Sequence, residues 1–308
     1  MQGFGPFTHQ KGSQMTQHVY IGDGVCAGNC TDCPKARYLG DARISRAVRK
    51  GLDKQGFARF DFNEAATNYD KALQLIRDAA AKMPMDRTDG GVGRARLYGR
   101  GHLLPWMPEG ADIYFEPGHM HAFNDVYGLE YSQPASVNSF AAGQRRVFKP
   151  FGDDLYTNDL ITDLIRMLWL AVPFDHDTKH SAMTIGMHLI KLSPSATMPA
   201  VASPDLVHRD GEIFTAGILI DRINASGGFN GITHTRWHDH RFGDVVDEDI
   251  YDQFTLEKPL EGYIVQDDKV AHYVSPVSCV DPNEHAERTI LLIDFTPSRP
   301  AINLDGID

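Results

Sequence analysis

From residue 183 onward the chain reads as short alternating runs broken by turn residues. MTIGMHLIKL, GEIFTAGILIDRIN, QFTLEKPLEGYIVQDDKVAHYV and RTILLIDFTP follow one another, separated by Gly, Pro, Asn and Asp. Successive side chains of a strand point to opposite faces, so Met183, Ile185, Met187 and Leu189 share one face of the first run. Many short strands between turns predict a β-sandwich or barrel, of which the jelly roll is one form.

The first half has a different texture. Ile44, Val48 and Leu52 recur at helical spacing, and Gly56 then stops the helix. FARFDF alternates as a short strand would. NEAATNYDKALQLIRDAAAKM predicts a helix, with Asn63 as its N-cap and Pro84 just past its end. RARLYGRGHLLP is expected to be extended, and the polar, aromatic stretch over 108–140 to be loop. NDLITDLIRMLWLA is apolar on most sides and predicts a buried helix. Helices first and strands later give an α+β chain. Residues 1–40, rich in Gly, Gln, Thr and Asp, are expected to form an irregular leader. Residues 41–308 are expected to form one catalytic domain. Its helical support would span 41–175 and its jelly-roll core mainly 183–300.

Charge and hydropathy narrow the function classes. The formal net charge of -11 excludes a broad basic surface, so nucleic acid is not an expected partner. Arg94, Arg96 and Arg100 are expected as pocket or surface arginines. The most apolar stretch, LIRMLWLAVPF, is too short to span a bilayer and is interrupted by Arg166 and Pro173. The N-terminus lacks a basic start followed by an apolar segment. The expected location is the cytoplasm, with no membrane partner. The oligomeric state is not fixed, and a homo-oligomer is open.

Fourteen histidines invite a search for metal ligands. In SPDLVHRDGEIF, His208 and Asp210 form an H-x-D pair. Two residues apart on a strand, an imidazole and a carboxylate face the same side and can grip one ion. Two histidines and one carboxylate on one face of iron leave positions open for small molecules, as an oxygenase needs. The second histidine would be His272, near the end of an alternating run and before a Pro turn; His285 is the alternative.

The text around the pair is more specific. Pro204, His208, Asp210 and Gly211 are followed by an apolar strand, then by Arg222, Asn224, Gly227 and Gly228. A D-x-x-x-x-H element and a terminal strand opening on Arg288 come after. This order resembles the family of 2-oxoglutarate and Fe(II)-dependent dioxygenases that includes bacterial L-isoleucine hydroxylases. The resemblance covers roughly 125–297. It implies a double-stranded β-helix core, with Fe(II) held by His208, Asp210 and His272. It also implies 2-oxoglutarate as cosubstrate, anchored by Arg288, and O2 as oxidant. A guanidinium grips a carboxylate through two parallel hydrogen bonds better than a lysine does. Many relatives in the wider superfamily place a hydroxyl two residues after that arginine. Ile290 stands there, so Thr215 is a candidate for the missing hydroxyl. Arg222 and Asn224 are expected to cap a hairpin whose turn Gly227 and Gly228 supply.

By the same resemblance, GLEYSQPASVNSFAAGQRRVFKPF lines the substrate side. Tyr131, Gln133, Asn138, Arg145 and Arg146 are its candidates, with Arg145 or Arg146 clamping a substrate carboxylate. Glu130 or Asp221 could receive an ammonium. The expected enzyme is a dioxygenase acting on a small molecule, with hydroxylation of a free aliphatic L-amino acid as the default outcome. Oxidative cyclisation or desaturation is the alternative within this chemistry. A cupin-type metal protein or isomerase without oxygen chemistry is the alternative outside it.

Other metal-like spacings compete. His119 with His121, and His234, His238 and His240, lie in polar text and are expected at the surface or in a lid. Cys26, Cys30 and Cys33 have the C-x3-C-x2-C spacing of a cluster-binding loop, and with His18 could bind zinc. No regular βα alternation follows them, so free thiols in the leader are the expected state. Three of four cysteines in one loop is not a disulfide framework for a chain of 308 residues.

Overall fold

The computed structural model describes residues 42–63, 68–86, 93–107, 113–122, 125–132, 145–202 and 205–298. The cysteine-rich leader and its expected irregularity therefore lie outside the described residues, as do Gln133, Asn138 and Pro204.

The first helix, α1 (Ala42–Gln55), ends where expected. Gly56 takes φ 79° and its amide closes on the Leu52 carbonyl at 3.0 Å. Next come β1 (Phe57–Asp61), α2 (Asp70–Ala81) and β2 (Arg94–Leu103). The described helix starts later than expected, after Tyr69, which offers no side-chain cap. The turn that would follow Asn63 is outside the described residues.

The stretch read as loop contains β3 (Ile113–Phe115), β4 (His119–His121) and β5 (Val126–Tyr131), and β6 (Arg146–Phe148) follows. Each of β3, β4 and β6 has three residues, too few to show a period, and their pairing is set by tertiary neighbours. Two short helices, α3 (Asp153–Tyr156) and α5 (His176–Lys179), flank α4 (Asp159–Ala171). Asn158 caps α4 by accepting from the Ile161 amide at 3.2 Å and donates to the Ala72 carbonyl of α2 at 2.9 Å.

The strands that follow are β7 (Met183–Leu192), β8 (Phe214–Ile223), β9 (Ala225–Gly227), β10 (Asn230–Thr233) and β11 (Ile250–Phe254). They continue as β12 (Glu261–Gln266), β13 (Ala271–Val274), β14 (Val277–Cys279) and β15 (Glu287–Pro297). A seven-stranded antiparallel sheet runs β1-β12-β8-β15-β7-β2-β3. Facing it is a three-stranded sheet, β11-β10-β13, extended by the pair β14-β9. This is the α+β jelly-roll architecture, with β1, β2 and β3 from the first half completing the large sheet.

Alternation along the strands divides the interior in two. Met183, Ile185, Met187 and Leu189 are fully buried on one face of β7. They pack with Ala216, Ile218, Leu291, Ile293 and Phe295 against Leu52, Ile76, Ile165 and Leu168 of the helices. A fully buried aliphatic side chain stabilises by roughly 1.5–3 kcal/mol, so this layer fixes which face of each strand turns to the helices. The opposite face of the same strands carries Ile190, Leu192, Leu219 and Ile290 toward the small sheet. That second face also carries the charged residues.

Candidate metal centre and cavity

Three ligand types meet between the sheets. His208 pairs with His272 through reciprocal backbone hydrogen bonds of 2.8 and 2.9 Å, and their rings lie 4.3 Å apart. The Asp210 carboxylate sits 3.8 Å from His208 Nε2 and 3.5 Å from His272 Nε2. The three ligand atoms all lie within 4.8 Å of one another, close enough to share one ion. Among the described residues no other group of three histidine, cysteine or acidic side chains gathers in this way.

The local backbone explains the pairing of 208 with 210. His208 forms a single bridge, and Arg209 to Gly211 leave the strand rather than continue it. The expected strand geometry is thus replaced by a turn, in which Gly211 adopts φ 84°. Asp267 holds that turn. Its carboxylate accepts from the Asp210 amide at 3.0 Å and from the Gly211 amide at 2.8 Å. Asp267 is the acid of the D-x-x-x-x-H element that ends on His272.

Both imidazoles are set up as ligands. His208 Nδ1 lies 2.9 Å from the Leu206 carbonyl, which can only accept, so Nδ1 carries the proton and Nε2 keeps its lone pair. Burial, and then the neighbouring His208, lower the pKa of His272 to about 4, leaving it neutral at physiological pH. A metal ligand must be deprotonated, and the His272 ring meets that demand. Burial, and then Asp210, push the pKa of Asp267 up to about 7. A cation on Asp210 would relieve this repulsion between carboxylates.

The cluster opens onto a cavity of about 90 Å³. Arg288, Thr215, Tyr131 and Arg146 line it, together with Arg96, His188, Tyr263, Glu212 and Asp294. Arg288 is 2% exposed, and its Nε and Nη2 have no hydrogen-bond partner. Burial lowers its pKa to about 10, so it remains a cation at neutral pH. A buried, unsatisfied guanidinium is costly unless an anion meets it.

The hairpin motif bears directly on this arginine. Arg222 Nη2 donates to the Gly227 carbonyl at 2.9 Å, and Asn224 bonds to the 281 and 284 carbonyls. Gly227 and Gly228 take φ 72° and 63°, which bears out the turn. A Cβ on Gly228 would lie 2.8 Å from Arg288 Cδ, so the turn forms the floor on which the arginine rests.

Tyr263 lines the same cavity as Arg288 and brings a hydroxyl to that side of it. Tyr263 stands opposite Gly217, where a Cβ would come within 2.7 Å of its ring. Thr215 lies elsewhere in the cavity. It pairs with Asp294, six residues along β15 from Arg288, or roughly 20 Å of extended strand.

On the other flank, Arg96 lies over the Phe148 ring at 4.9 Å and Arg146 over the Tyr131 ring at 5.3 Å. His188 is sandwiched by Tyr98 and Tyr131 at 4.6 and 4.7 Å. Burial, then the two guanidiniums, hold its pKa well below the ordinary value. This end of the cavity is positive. Arg94, also in the lining, is neutralised by Asp86 at 2.9 Å.

Other residues named from the sequence lie outside the cavity. Arg145 is largely exposed and pairs with Glu130 at 3.5 Å, so neither lines the cavity. Asp221 pairs with Arg77 at 3.3 Å, outside the cavity. His285 is exposed, bonds to Glu287 at 2.8 Å and is not one of the three clustered side chains. Arg100 pairs with Glu116 at 2.6 Å. Sequence reasoning missed His188, Tyr263, Asp294 and Glu212. The signal was available for three of them, since they share their strand parity with Ile190, Val265 and Ile290 on the cavity face.

Comparison with known proteins agrees with the geometry. The chain aligns at 27% identity over 169 residues with L-isoleucine-4-hydroxylase from Bacillus thuringiensis. That alignment covers 54% of this chain and 65% of the relative, just under two thirds of its length. The crystal structure of IDO from Bacillus thuringiensis superposes with TM-score 0.62 at 20% identity, covering 83% of this chain and all of that one. A bsmA homologue from Methylobium petroleophilum PM1 gives TM-score 0.63 at 19% identity, covering 83% and 96%. The dioxygenase TqaL gives 0.62 at 13%, covering 88% and 92%. At these identities the three structures establish the shared fold. Residues 78–294, which contain the His-Asp-His cluster and Arg288, match the family model described as 2OG-Fe dioxygenase. The chain therefore belongs to the 2OG-Fe dioxygenase family.

Proposed function

We propose that this dioxygenase oxidises a small free amino acid, with hydroxylation of a carbon on its aliphatic chain as the outcome. In this reading His208, Asp210 and His272 hold Fe(II), and Arg288, assisted by Tyr263, holds the far carboxylate of 2-oxoglutarate. The bound iron and cosubstrate supply activation of O2, coupled to conversion of 2-oxoglutarate into succinate and carbon dioxide. The protein's share is position and exclusion of water. Asp267 fixes the Asp210 turn, the two imidazoles face one point, and the buried arginine orients the cosubstrate. Arg146 and Arg96 are placed to take the substrate carboxylate, with Ile190, Ile290, Leu292 and Val274 offering apolar contact along the cavity. A cytoplasmic setting fits the need for reduced iron and 2-oxoglutarate. Among the described residues no helix is long and apolar enough to cross a membrane.

The observation that carries the reading is a buried, unpartnered Arg288 in the same cavity as three converging metal ligands. A cupin isomerase has no need of such a cation. The test is incubation under air with iron, ascorbate and 2-oxoglutarate, followed by a screen of the standard amino acids read by mass. Succinate formation with gain of one oxygen in a substrate is expected. Loss of two hydrogens would instead indicate cyclisation or desaturation, and absence of succinate under every condition would refute the reading.

A further inference from the structure

Two carboxylates in the cavity have no task in the scheme above. Asp294 is 6% exposed and stands on β15 between Gly186 of β7 and Thr215 of β8. The Gly186 amide donates to it at 3.0 Å. A Cβ on Gly186 would lie 2.3 and 2.5 Å from its two oxygens, so glycine is what lets the carboxylate lie there. Glu212, two residues past the ligand Asp210, accepts from the Thr296 hydroxyl and lines the same end of the cavity. Burial, and then the neighbouring Glu212, push the Asp294 carboxyl well above its ordinary range, and a cation placed beside it would favour the ionised form. An ion at the His-Asp-His cluster would neutralise Asp210 but leave these two.

A second observation points to a missing ligand. Thr215 is 3% exposed, faces Asp294 across the strand pair, and its hydroxyl has no hydrogen-bond partner. Two carboxylates and a hydroxyl give three acceptors around one end of the cavity, matching the three donors of a primary ammonium. Water supplies two donors and no charge, so it would not relieve the mutual repulsion that opposes ionisation of the two carboxyl groups. The opposite end carries Arg96 and Arg146, so the cavity has a negative and a positive pole with aliphatic side chains between them.

We propose that Asp294, Glu212 and Thr215 form the site that receives a primary ammonium of the substrate. This rests on the amino-acid reading above and reassigns the ammonium partner from Glu130 and Asp221. The poles are well separated. Arg96 and Asp294 are two strands apart and four residues out of register, roughly 16 Å between Cα atoms. The ammonium is either the α-ammonium, with the carboxylate reached by the long Arg146 side chain, or an amine on the substrate's side chain.

The test measures binding to full-length protein loaded anaerobically with Mn(II) and 2-oxoglutarate, by calorimetry. The probes are hexanoate, L-norleucine and 6-aminohexanoate, which share a carbon chain and differ in whether and where they carry an amine. The expected result is that at least one aminated probe binds about tenfold or more tightly than hexanoate. Preference for L-norleucine assigns the α-ammonium, and preference for 6-aminohexanoate a remote amine. Asp294→Asn should shrink the amine advantage to within about twofold, and Thr215→Val should reduce it roughly threefold or more. Equal binding of hexanoate and both amines, or no binding of any of them, overturns the proposal. So does an undiminished amine advantage in both variants. Failure of wild-type protein to bind Mn(II) and 2-oxoglutarate would refute the underlying reading instead.

Discussion

Replacing Asp267 tests whether the metal cluster depends on a residue that does not touch the metal. Its carboxylate holds the Asp210 and Gly211 amides at 3.0 and 2.8 Å, and thereby the conformation that aims Asp210 at the two histidines. Asp267→Ala removes two charge-assisted hydrogen bonds, each contributing about 1.5–3 kcal/mol. Two effects offset part of this. Water can reach the freed amides, and a buried carboxylate repelling Asp210 is gone. A net loss of about 1.4–2.8 kcal/mol falls on the ligand geometry, a tenfold to hundredfold weaker ion. Asp267→Asn should fall between, since it keeps one acceptor but turns an NH2 toward the other amide. Mn(II) titration followed by electron paramagnetic resonance reads the affinity, and melting of metal-free protein separates loss of the site from loss of the fold. Mn(II) affinity within twofold of wild type, in protein that melts normally, would refute the role given to Asp267.

Gly228→Ala should raise KM for 2-oxoglutarate about tenfold, because the left-handed backbone costs about 1–2 kcal/mol and the new methyl displaces Arg288. Steady-state succinate formation checks this, and Mn(II) affinity should stay at the wild-type value. Asn158→Ala should cost about 1–2 kcal/mol of stability through loss of the α4 cap and the tie to α2. A fall in Tm of about 3 °C or more by calorimetry, with KM unchanged, is the expected result.

Much of this was legible in the residues. The alternation of β7 placed Met183, Ile185, Met187 and Leu189 on one buried face, because period two is a local property. His208, Asp210, His272, Arg288 and the Gly227-Gly228 turn stood out because they sit in short, ordered motifs. The failures share a cause. Strands of three residues, such as β3 and β4, show no period. Arg145 and Arg146 are neighbours in sequence, and only pairing of β5 with β6 decides that Arg146 turns inward while Arg145 meets Glu130. Asp294 reads as an ordinary polar residue ending a strand until its neighbours Gly186 and Thr215 are known.

One strand thus carries Arg288 and Asp294 as well as the apolar residues that seat it. Arg288 and Asp294 occupy even positions of β15, while Leu291, Ile293 and Phe295 lock the odd positions into the helical layer. The separation between Arg288 and Asp294 is therefore a fixed ruler, an even number of peptide units long. Evolution can vary the side chains between the two marks to suit other molecules. It cannot slide one mark by a single residue without driving a charge into oil, so any change of reach must come in pairs or from the loops opposite.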